Sequence, residues 1–518
     1  MEGAAMKKTV KLSAGSMFLG ALFFAVNLNA APPTQFDFGT GAAAPGYTKV
    51  TPTTMYSTAQ GYGFQPSGSP ISAVSRGGSD VLRGDYCTSA DSFSFSIALP
   101  LGNYTATVYL GDLNGTSITS VYGEQRRLFL DRISTASGQV VAKTFTINRR
   151  NYTNGPVTIS RKDRELTYAD FDSVLNFTFA GSKIAVCGID VAPAAAVTTI
   201  YVCGNSTTVD QPAEPFCCWP QMITRMFNQQ VSIADYAESG EDAGSFTSEH
   251  RLAMISTVMK PGDYVVEEFG HNDQKSAANI ANFVSHLKQI ADSARAHNAT
   301  PIYVTPTARK AENDSATSVG SLADSMRKAA KAENVTLIDL NVGVIALHKS
   351  LGTANVAALY ASTTEDTHSS DYGAFEFARI VATAIKGLNL NIAQDLLSDL
   401  PLFDPSKPDP LDYLTTPTPP GETMIQRPSE AQKTLSNAFG LSINMPAHVV
   451  RFTPGKEGAA VLSIFSLSGK QLAEKRTTVA QAQGSLTWQD LGALPMGIYI
   501  FAMSINDNVI GKTMICKL

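Results

Sequence analysis

Five short apolar runs alternate with helix-period segments between about residues 196 and 390, and this pattern restricts the fold more than any other feature. Such alternation predicts a parallel sheet with helices on both faces. Ligands bind such sheets outside the carboxyl ends of the strands. The strand-like runs are 200–203, 231–236, 264–269, 301–305 and 335–340, and the helical segments lie near 218–229, 246–259, 277–297, 318–333 and 371–387.

The region that precedes this sheet, from about residue 33 to 195, has all-β character. Segments such as 92–99 and 104–110 alternate in polarity or are rich in β-branched and aromatic residues, and Gly, Asn and Asp separate them at turn spacing. No helix-period segment of useful length interrupts them. The sequence therefore predicts a β-sandwich over 33–195.

Residues 1–31 have the composition of a secretory signal peptide. Lysines at positions 7, 8 and 11 precede an apolar run over 17–26, which ends in small residues around Ala30 and Ala31. A charged start, a short apolar segment and a small-residue cleavage site are typical of such peptides. The run is too short to span a membrane stably. No other apolar run approaches the length of a membrane span, so we expect a soluble, exported protein without a membrane span.

The C-terminal part of the chain divides into a linker and a further β domain. Prolines crowd between residues 391 and 430, which predicts a stiff, extended linker. From 431 to 518 the chain returns to short β runs, such as 460–467 and 497–503, which are separated by turns. We predict a small β-sandwich there.

Length, charge and cysteine content limit the number of domains, the kinds of partner and the role of the cysteines. A chain of 518 residues is expected to form two to four units. Its net charge of -5 gives no reason to expect nucleic acid or an anionic membrane as a partner. The 6 cysteines show no zinc-site spacing, and we expect most of them to be apolar core residues. A bridge between Cys87 and Cys187 is the alternative, because export permits disulfides.

Ser206 follows the first strand in the sequence Gly204-Asn205-Ser206-Thr207. A serine hydroxyl is a poor nucleophile that needs an adjacent base. A position between a strand end and a helix start exposes it and gives it a partly positive field. We predict that Ser206 is a nucleophile, although such a sequence by itself is more often a turn or a helix cap.

Gly240 and Asn272 close the second and third strands, in Ala237-Glu238-Ser239-Gly240 and in Phe269-Gly270-His271-Asn272-Asp273. A glycine lets a backbone N–H approach a ligand closely, and an Asn amide can donate to a developing oxyanion. The competing interpretations are a glycine that serves only the turn, and a buried His271 next to a capping Asn272 or Asp273.

His368 stands after two acids, in Glu365-Asp366-Thr367-His368, just before a predicted helix that begins near Asp371. A histidine preceded by carboxylates can act as a general base that one of them orients. The alternative is that these residues only cap the helix.

The order Ser206, Gly240, Asn272 and His368 resembles the SGNH (GDSL-like) hydrolases. In detail the chain is similar to the bacterial rhamnogalacturonan acetylesterases over about 196–390, which implies an α/β/α flavodoxin-like catalytic domain with a five-stranded parallel sheet. The matching segments are GNSTTVDQ, EPFCCWPQMI, DYAESGEDAGSF, KPGDYVVEEFGHNDQK and THSSDYGAFEFARIVA.

The flanking regions also resemble known families. The segments LPLGNYTATVYLGD and EQRRLFLDR resemble the galactose-binding-like sandwich found ahead of bacterial carbohydrate esterases. This N-terminal sandwich could bind a sugar or serve as a scaffold for the catalytic domain, and the sequence leaves both roles open. The segment VLSIFSLSGKQL and those that follow resemble C-terminal sorting domains of type IX secretion, with a second binding module as the alternative.

These resemblances imply a secreted esterase that removes acetyl groups from rhamnogalacturonan, a pectin, through an acetyl-enzyme. Ser206 would attack, His368 would be the base, and the N–H groups of Ser206 and Gly240 and the Asn272 amide would hold the oxyanion. No metal or cofactor would be needed. The partners would be an acetylated plant cell-wall polysaccharide and, through the C-terminal domain, secretion machinery. Free release and attachment to the cell surface both remain open.

Two departures from the family pattern leave questions open. Asn205 replaces the usual acid, and we expect a changed hydrogen bond rather than lost activity. The family's acid lies three residues before the histidine, which favours Glu365, whereas the preferred residue type favours Asp366.

The alternatives to this function are an SGNH esterase for acetylated xylan or a lipid ester, and a carbohydrate-binding protein with an inactive esterase core. The expected substrate carries uronic acids and the protein is slightly acidic. We therefore expect local cations in the substrate groove, and the candidates are Lys275, Arg309 and Lys310. The commoner explanation for such charges is a solvated face of the protein.

Overall fold

The structure is a computed structural model that describes residues 34–388, 390–398 and 400–414, together with strands between 442 and 517. The predicted signal peptide lies outside the described residues. So do residues 415–430 of the predicted linker.

The N-terminal region forms two β-sheets that face each other across one core, which confirms the predicted sandwich. One sheet has seven strands, with the path β10-β7-β14-β1-β2 and with β5 and β4 added beside β14. The other has five strands in the order β3-β6-β13-β8-β9, and β11 pairs with β12. The strands are β1 (Gln35–Phe38), β2 (Thr48–Val50), β3 (Tyr62–Phe64), β4 (Ser72–Ser75), β5 (Asp85–Thr88), β6 (Phe93–Ile97), β7 (Gly102–Asp112), β8 (Ser117–Gly123), β9 (Arg127–Thr135), β10 (Gln139–Arg149), β11 (Thr153–Asn154), β12 (Val157–Thr158), β13 (Leu175–Lys183) and β14 (Val186–Pro193).

Alternating side chains explain why these residues pair as sheets. Along β7, Tyr104, Ala106, Val108 and Leu110 point inward and are buried, while the residues between them are half-buried. Aromatic rings from both sheets fill the core edge to face, as Phe38 does against a ring centroid 4.9 Å away on β6. Two short 3-10 helices, Asp163–Thr167 and Ala169–Phe171, follow β12 and precede β13.

The second domain contains the predicted five-stranded parallel sheet. Its order is β16-β15-β17-β18-β19, so the direction of strand addition switches between β15 and β17. All five strand-like runs became strands: β15 (Thr198–Gly204), β16 (Val231–Asp235), β17 (Tyr264–Glu268), β18 (Thr300–Val304) and β19 (Thr336–Ile338). Clefts form at such a switch point because the loops leave it in opposite directions.

Seven α-helices accompany this sheet among the residues that the structure describes, and they differ from the predicted segments in three places. Segment 218–229 is only one short helix followed by a 3-10 turn. Segment 246–259 is two helices divided at His250, which has a left-handed φ of 67°. The helices are α1 (Trp219–Ile223), α2 (Ala243–Ser248), α3 (Arg251–Ser256), α4 (Ala277–Ala296), α5 (Leu322–Glu333), α6 (Leu340–Asn355) and α7 (Asp371–Gly387).

The third difference is α6, which the sequence did not predict. It starts two residues after β19, and Asp339 between them caps the helix by accepting a hydrogen bond from Val342 N. By length and composition alone, Leu340–Leu359 could cross a membrane. Leu340, Val344 and Leu347 are fully buried in the core of this domain.

The cysteines of the first two domains are buried thiols without a disulfide: Cys87, Cys187, Cys203, Cys217 and Cys218. Cys87 and Cys187 are therefore not bridged, and the alternative of a disulfide between them is wrong for this structure. Burial raises the pKa of Cys87 to about 12. These thiols act as small apolar core residues, as the first interpretation held.

Residues 391–398 and 400–414 pack against the hydrolase domain, although the proline content predicted the start of a stiff, extended linker. Ile392, Leu396 and Phe403 are buried in its core. The Tyr413 ring stacks on Phe375 with the centroids 5.3 Å apart. Apolar side chains between the prolines explain this docking, because extended proline-rich chain can still bury them.

The part of the C-terminal region that the structure describes contains seven strands in two antiparallel sheets, of three and four strands. Whether the two sheets pack as a sandwich stays a prediction. The strands are β20 (Ser442–Asn444), β21 (Val449–Phe452), β22 (Gly458–Ser466), β23 (Gln471–Val479), β24 (Gly484–Thr487), β25 (Gly497–Ile505) and β26 (Asn508–Lys517).

A buried ion cluster joins the N-terminal sandwich to the hydrolase domain. Arg127, at the start of β9, is fully buried. Its Nε donates to Asp210 Oδ2 at 2.7 Å and its Nη2 to Asp170 Oδ1 at 2.8 Å. Its Nη1 donates to the carbonyl oxygens of Asn148 and Ile233, both at 3.2 Å. One side chain therefore holds groups from both domains.

Replacing Arg127 by Met should lower the free energy of unfolding by about 3–5 kcal/mol, because it leaves two buried carboxylates without their main cation. The measurement is the shift of the urea unfolding midpoint. Lys288→Met is the matched control, since the Lys288–Asp292 pair is 45% and 50% exposed and should contribute less than about 1 kcal/mol. Equal shifts for the two variants would contradict the assigned role of the cluster.

Candidate active site

Ser206 lies in the turn that follows β15, at the switch point of the sheet. Gly204 makes this turn feasible, because a Cβ there would lie 2.0 Å from Thr208 Oγ1 and 2.9 Å from the Glu268 carbonyl oxygen. The Ser206 carbonyl accepts hydrogen bonds from Gln211 Nε2 at 3.0 Å and from Cys218 Sγ at 3.2 Å. The backbone is thus held while the side chain stays half-buried.

The imidazole of His368 reaches Ser206 from the loop before α7. His368 Nε2 lies 2.8 Å from Ser206 Oγ, within hydrogen-bond distance. On the other side of the ring, Nδ1 lies 3.2 Å from Glu365 Oε1, in poor hydrogen-bond alignment. Such bonds are often loose before a substrate is bound. A hydroxyl, an imidazole and a carboxylate therefore stand in series.

The Glu365 carboxylate also holds its own loop. Its Oε1 accepts hydrogen bonds from the N–H of Asp366 at 3.1 Å, of Thr367 at 2.9 Å and of His368 at 3.2 Å. Partial burial raises the pKa of Glu365. The backbone bonds and the nearby His368 lower it by more than burial raises it, so the pKa lies below its ordinary value. The acid is therefore held in its charged form.

Asp366 points away from the imidazole. Its side chain is 59% exposed and lies 3.4 Å from Arg309 Nη1. Its Oδ1 accepts a hydrogen bond from Thr367 Oγ1 at 2.6 Å. Of the two acids that the sequence left open, the structure brings Glu365 to His368 and does not bring Asp366 there.

Gly240 and Asn272 lie in the loops that follow β16 and β17, the two neighbours of β15. Gly240 has a φ of 87°, which a glycine adopts without strain. Asn272 Nδ2 donates to the Glu241 carbonyl oxygen at 2.8 Å, which ties the two loops together. Glu238 N donates to the Gly204 carbonyl oxygen at 3.3 Å and joins the Gly240 loop to the Ser206 turn.

Asn205 keeps the turn closed without an acid. Its Oδ1 accepts hydrogen bonds from Thr207 N and Thr207 Oγ1, both at 3.0 Å. Its Nδ2 is buried and has no hydrogen-bond partner among the described residues. A carboxylate oxygen at this place could accept the same two bonds, so the replacement leaves the shape of the turn intact.

Glu268 is a buried residue of the site that the sequence analysis missed. It accepts hydrogen bonds from Thr207 Oγ1 at 3.1 Å, from Trp219 Nε1 at 2.6 Å and from Thr307 N at 3.2 Å. Burial raises its pKa to about 7, against the lowering effect of the Trp219 bond. The signal was present, because Glu267 and Glu268 interrupt an apolar strand where charge is costly.

The three candidate cations are bonded to loops of the site. Lys275 Nζ donates to Asn272 Oδ1 at 2.6 Å. Arg309 donates to Thr367 Oγ1, and Lys310 Nζ donates to the Glu365 carbonyl oxygen at 2.6 Å. These contacts support the residues around Ser206. Among the residues that the structure describes, no group of three or more His, Cys, Asp or Glu side chains is arranged to hold a metal ion.

Comparison with known proteins agrees with this geometry. Residues 202–374 match the GDSL-like Lipase/Acylhydrolase family. The chain is 30% identical over 218 residues to the rhamnogalacturonan acetylesterase RhgT of Bacillus subtilis, covering 38% of this chain and 94% of that protein. The chain belongs to the GDSL-like lipase/acylhydrolase family. It is a carboxylic ester hydrolase, as the sequence predicted.

Other relatives extend the family match to the N-terminal domain. Residues 34–147 match the Beta-agarase/YXIM esterase-like, galactose-binding domain-like family. The uncharacterized esterase YxiM of B. subtilis is 28% identical over 377 residues, covering 70% of this chain and 93% of that protein. The probable rhamnogalacturonan acetylesterase YesY of B. subtilis is 27% identical over 218 residues, covering 39% of this chain and 98% of that protein. The predicted galactose-binding-like sandwich is thereby confirmed.

The bonds of Glu365 predict a pH-dependent stability difference for this GDSL-like hydrolase. A carboxylate whose pKa is lower in the folded state than in the unfolded state stabilises the fold when the pH lies above its unfolded-state pKa. This contribution is lost as the pH falls through the folded-state pKa. The thermal midpoint of Glu365→Gln should therefore lie below that of the wild type at pH 7, and the difference should shrink as the pH falls below 4.5, the ordinary value for the group.

Glu214→Gln is the control, because Glu214 is an exposed glutamate on the neighbouring loop. Its midpoint should follow that of the wild type across the same pH range. A Glu365→Gln difference that stays constant down to pH about 2 would contradict the charged role of Glu365.

Proposed function

We propose that the chain is a secreted carbohydrate esterase that removes acetyl groups from rhamnogalacturonan through a serine nucleophile. The observation that carries this proposal is the 2.8 Å contact between Ser206 Oγ and His368 Nε2 in a chain of this hydrolase family. The relatives RhgT and YesY support the substrate by the activities that their names give.

The proposed reaction begins with the hydroxyl of Ser206. His368 Nε2 takes its proton as Ser206 Oγ attacks the acetyl carbonyl, and His368 then returns that proton to the leaving sugar oxygen. Glu365, at Nδ1, orients the ring and stabilises its positive charge. A water molecule, activated by the same histidine, hydrolyses the acetyl-enzyme and releases acetate.

The oxyanion of each tetrahedral intermediate would accept from the N–H groups of Ser206 and Gly240 and from Asn272 Nδ2. The amide of Asn272 has two N–H groups, and the bond to the Glu241 carbonyl uses one of them. The other is left to donate to the oxyanion. Losing one such donor typically costs about 2.7–4 kcal/mol of barrier.

We also propose that the enzyme acts outside the cell on acetylated plant cell-wall polysaccharide. The support is the composition of residues 1–31 and the sorting-like pattern after residue 431. Surface attachment and free release would follow from how secretion machinery handles the C-terminal domain. N-terminal sequencing of the exported protein, with a start after Ala30 or Ala31 expected, tests the first part.

The test of the function compares acetate release from acetylated rhamnogalacturonan and from acetylated xylan. We expect faster release from rhamnogalacturonan, and Ser206→Ala should lower it by at least about 10⁴-fold, because the nucleophile is lost. A serine-directed organophosphonate should label the wild type and not this variant. Faster release from xylan would overturn the substrate, and no release together with no labelling would indicate a non-catalytic binding protein.

The triad acid is tested by Glu365→Ala and Asp366→Ala, measured separately. Glu365→Ala should lower kcat by about 10²–10⁴-fold, because the imidazole loses its orienting carboxylate. Asp366→Ala should change kcat by less than about fivefold, because the Asp366 side chain is 59% exposed and such ion pairs contribute little. A larger loss from Asp366→Ala than from Glu365→Ala would reverse the assignment.

A further inference from the structure

We propose that Lys162 and Arg164, which belong to the N-terminal region, position the oxyanion hole of the hydrolase domain. The proposal rests on the proposed function, because it takes Gly240 and Asn272 as oxyanion donors. Both cations lie in and beside the 3-10 helix Asp163–Thr167. They reach across the domain boundary to residues 238–241, the loop that contains Gly240.

Arg164 holds the peptide unit that carries the Gly240 N–H. Its Nη2 donates to the Ser239 carbonyl oxygen, and its Nε donates to Glu238 Oε1. The Ser239 C=O and the Gly240 N–H belong to one planar trans peptide, so they point in opposite directions. A donor that fixes the carbonyl therefore fixes the direction of the N–H.

Lys162 adds a second hold on the same carbonyl. Its Nζ donates to the Ser239 carbonyl oxygen at 3.2 Å and also to Glu241 Oε1. Two cationic donors on one carbonyl also polarise the peptide, which strengthens its N–H as a donor. A Cβ placed on Gly240 would lie 3.8 Å from both Arg164 Nη2 and Lys162 Nζ.

The second oxyanion donor depends on the same loop. The carbonyl oxygen of Glu241 accepts the hydrogen bond from Asn272 Nδ2 at 2.8 Å. The side chain of Glu241 is the partner of Lys162. One loop, which the N-terminal region holds at both ends, therefore sets the direction of both donors.

The segment that carries the two cations is itself anchored. Glu165 Oε2 accepts a hydrogen bond from the Lys162 N–H at 2.7 Å and one from Arg251 Nη2 at 2.7 Å. Glu165 and Arg251 are fully buried. Gly240, by contrast, is exposed and has a φ of 87°. Glycine places few limits on its own peptide, so the orientation of that peptide must come from outside the loop.

A merely structural role predicts a different outcome. If these pairs only dock the two domains, their loss should lower stability and leave the turnover of the folded enzyme unchanged. A positioning role lowers kcat and leaves KM nearly constant. It does so even for a substrate too small to contact the N-terminal domain, because the oxyanion forms in every ester hydrolysis.

The experiment measures kcat and KM of the full-length protein with p-nitrophenyl acetate. Arg164→Ala and Lys162→Ala should each lower kcat by about 10- to 100-fold, with KM within about twofold of the wild type. Arg164→Lys, which keeps a donor, should recover part of the loss. Arg161→Ala is the matched control, because the neighbouring Arg161 lies over the Tyr152 ring and not on the loop.

Thermal unfolding shows whether each variant is folded. If Arg164→Ala fails to fold, Glu238→Gln is the second variant, because it removes the charge that pairs with Arg164 and keeps the shape of the Glu238 side chain. We expect a smaller fall in kcat at unchanged KM. Wild-type kcat in a folded Arg164→Ala or Glu238→Gln variant overturns the positioning role. Full activity of Ser206→Ala would instead overturn the proposed function, so the two failures are distinguishable.

Discussion

The ion cluster around Arg127 is the interaction on which the arrangement of the domains depends. A fully buried guanidinium is tolerated only where carboxylates and carbonyl oxygens match its charge and its N–H groups. Asp170 supplies part of that match from the N-terminal side, and Asp210 supplies part of it from the hydrolase domain. Because Asp210 lies four residues after Ser206, the requirement also fixes the segment that carries the serine. The sandwich is therefore part of the frame of the active site.

The same principle recurs around the site, where charged side chains hold loops that the sheet alone leaves free. The switch point of the sheet brings the loops after β15, β16 and β17 to one edge. Lys310 and Arg309 bind the loop of Glu365 and Thr367, and Lys162 and Arg164 bind the loop of Gly240. The cations that the sequence suggested for the substrate, Lys275, Arg309 and Lys310, are thus engaged with side chains or carbonyl oxygens of the protein's own loops.

Periodicity predicted the parallel sheet because its five strands are short, apolar and separated by helical segments. It missed α6, because the strand-like run 335–340 extends past the boundary at Asp339, the residue that caps the helix. It also treated residues 391–414 as linker, since prolines dominate the local pattern, while the buried Phe403 and Leu396 act only through contacts with distant residues.

The sequence alone predicts the candidate reactive groups, since Ser206, Gly240, Asn272 and His368 each follow a recognisable strand or precede a helix. Parallel topology then requires that they share one edge. Both Glu365 and Asp366 lie within reach of His368 along the chain. The tertiary structure alone places Glu365 beside the imidazole, because the backbone N–H groups of residues 366–368 hold its carboxylate. It also decided the contacts of Arg164 with Glu238 and Ser239. Contacts between residues so far apart in sequence leave no local pattern to read.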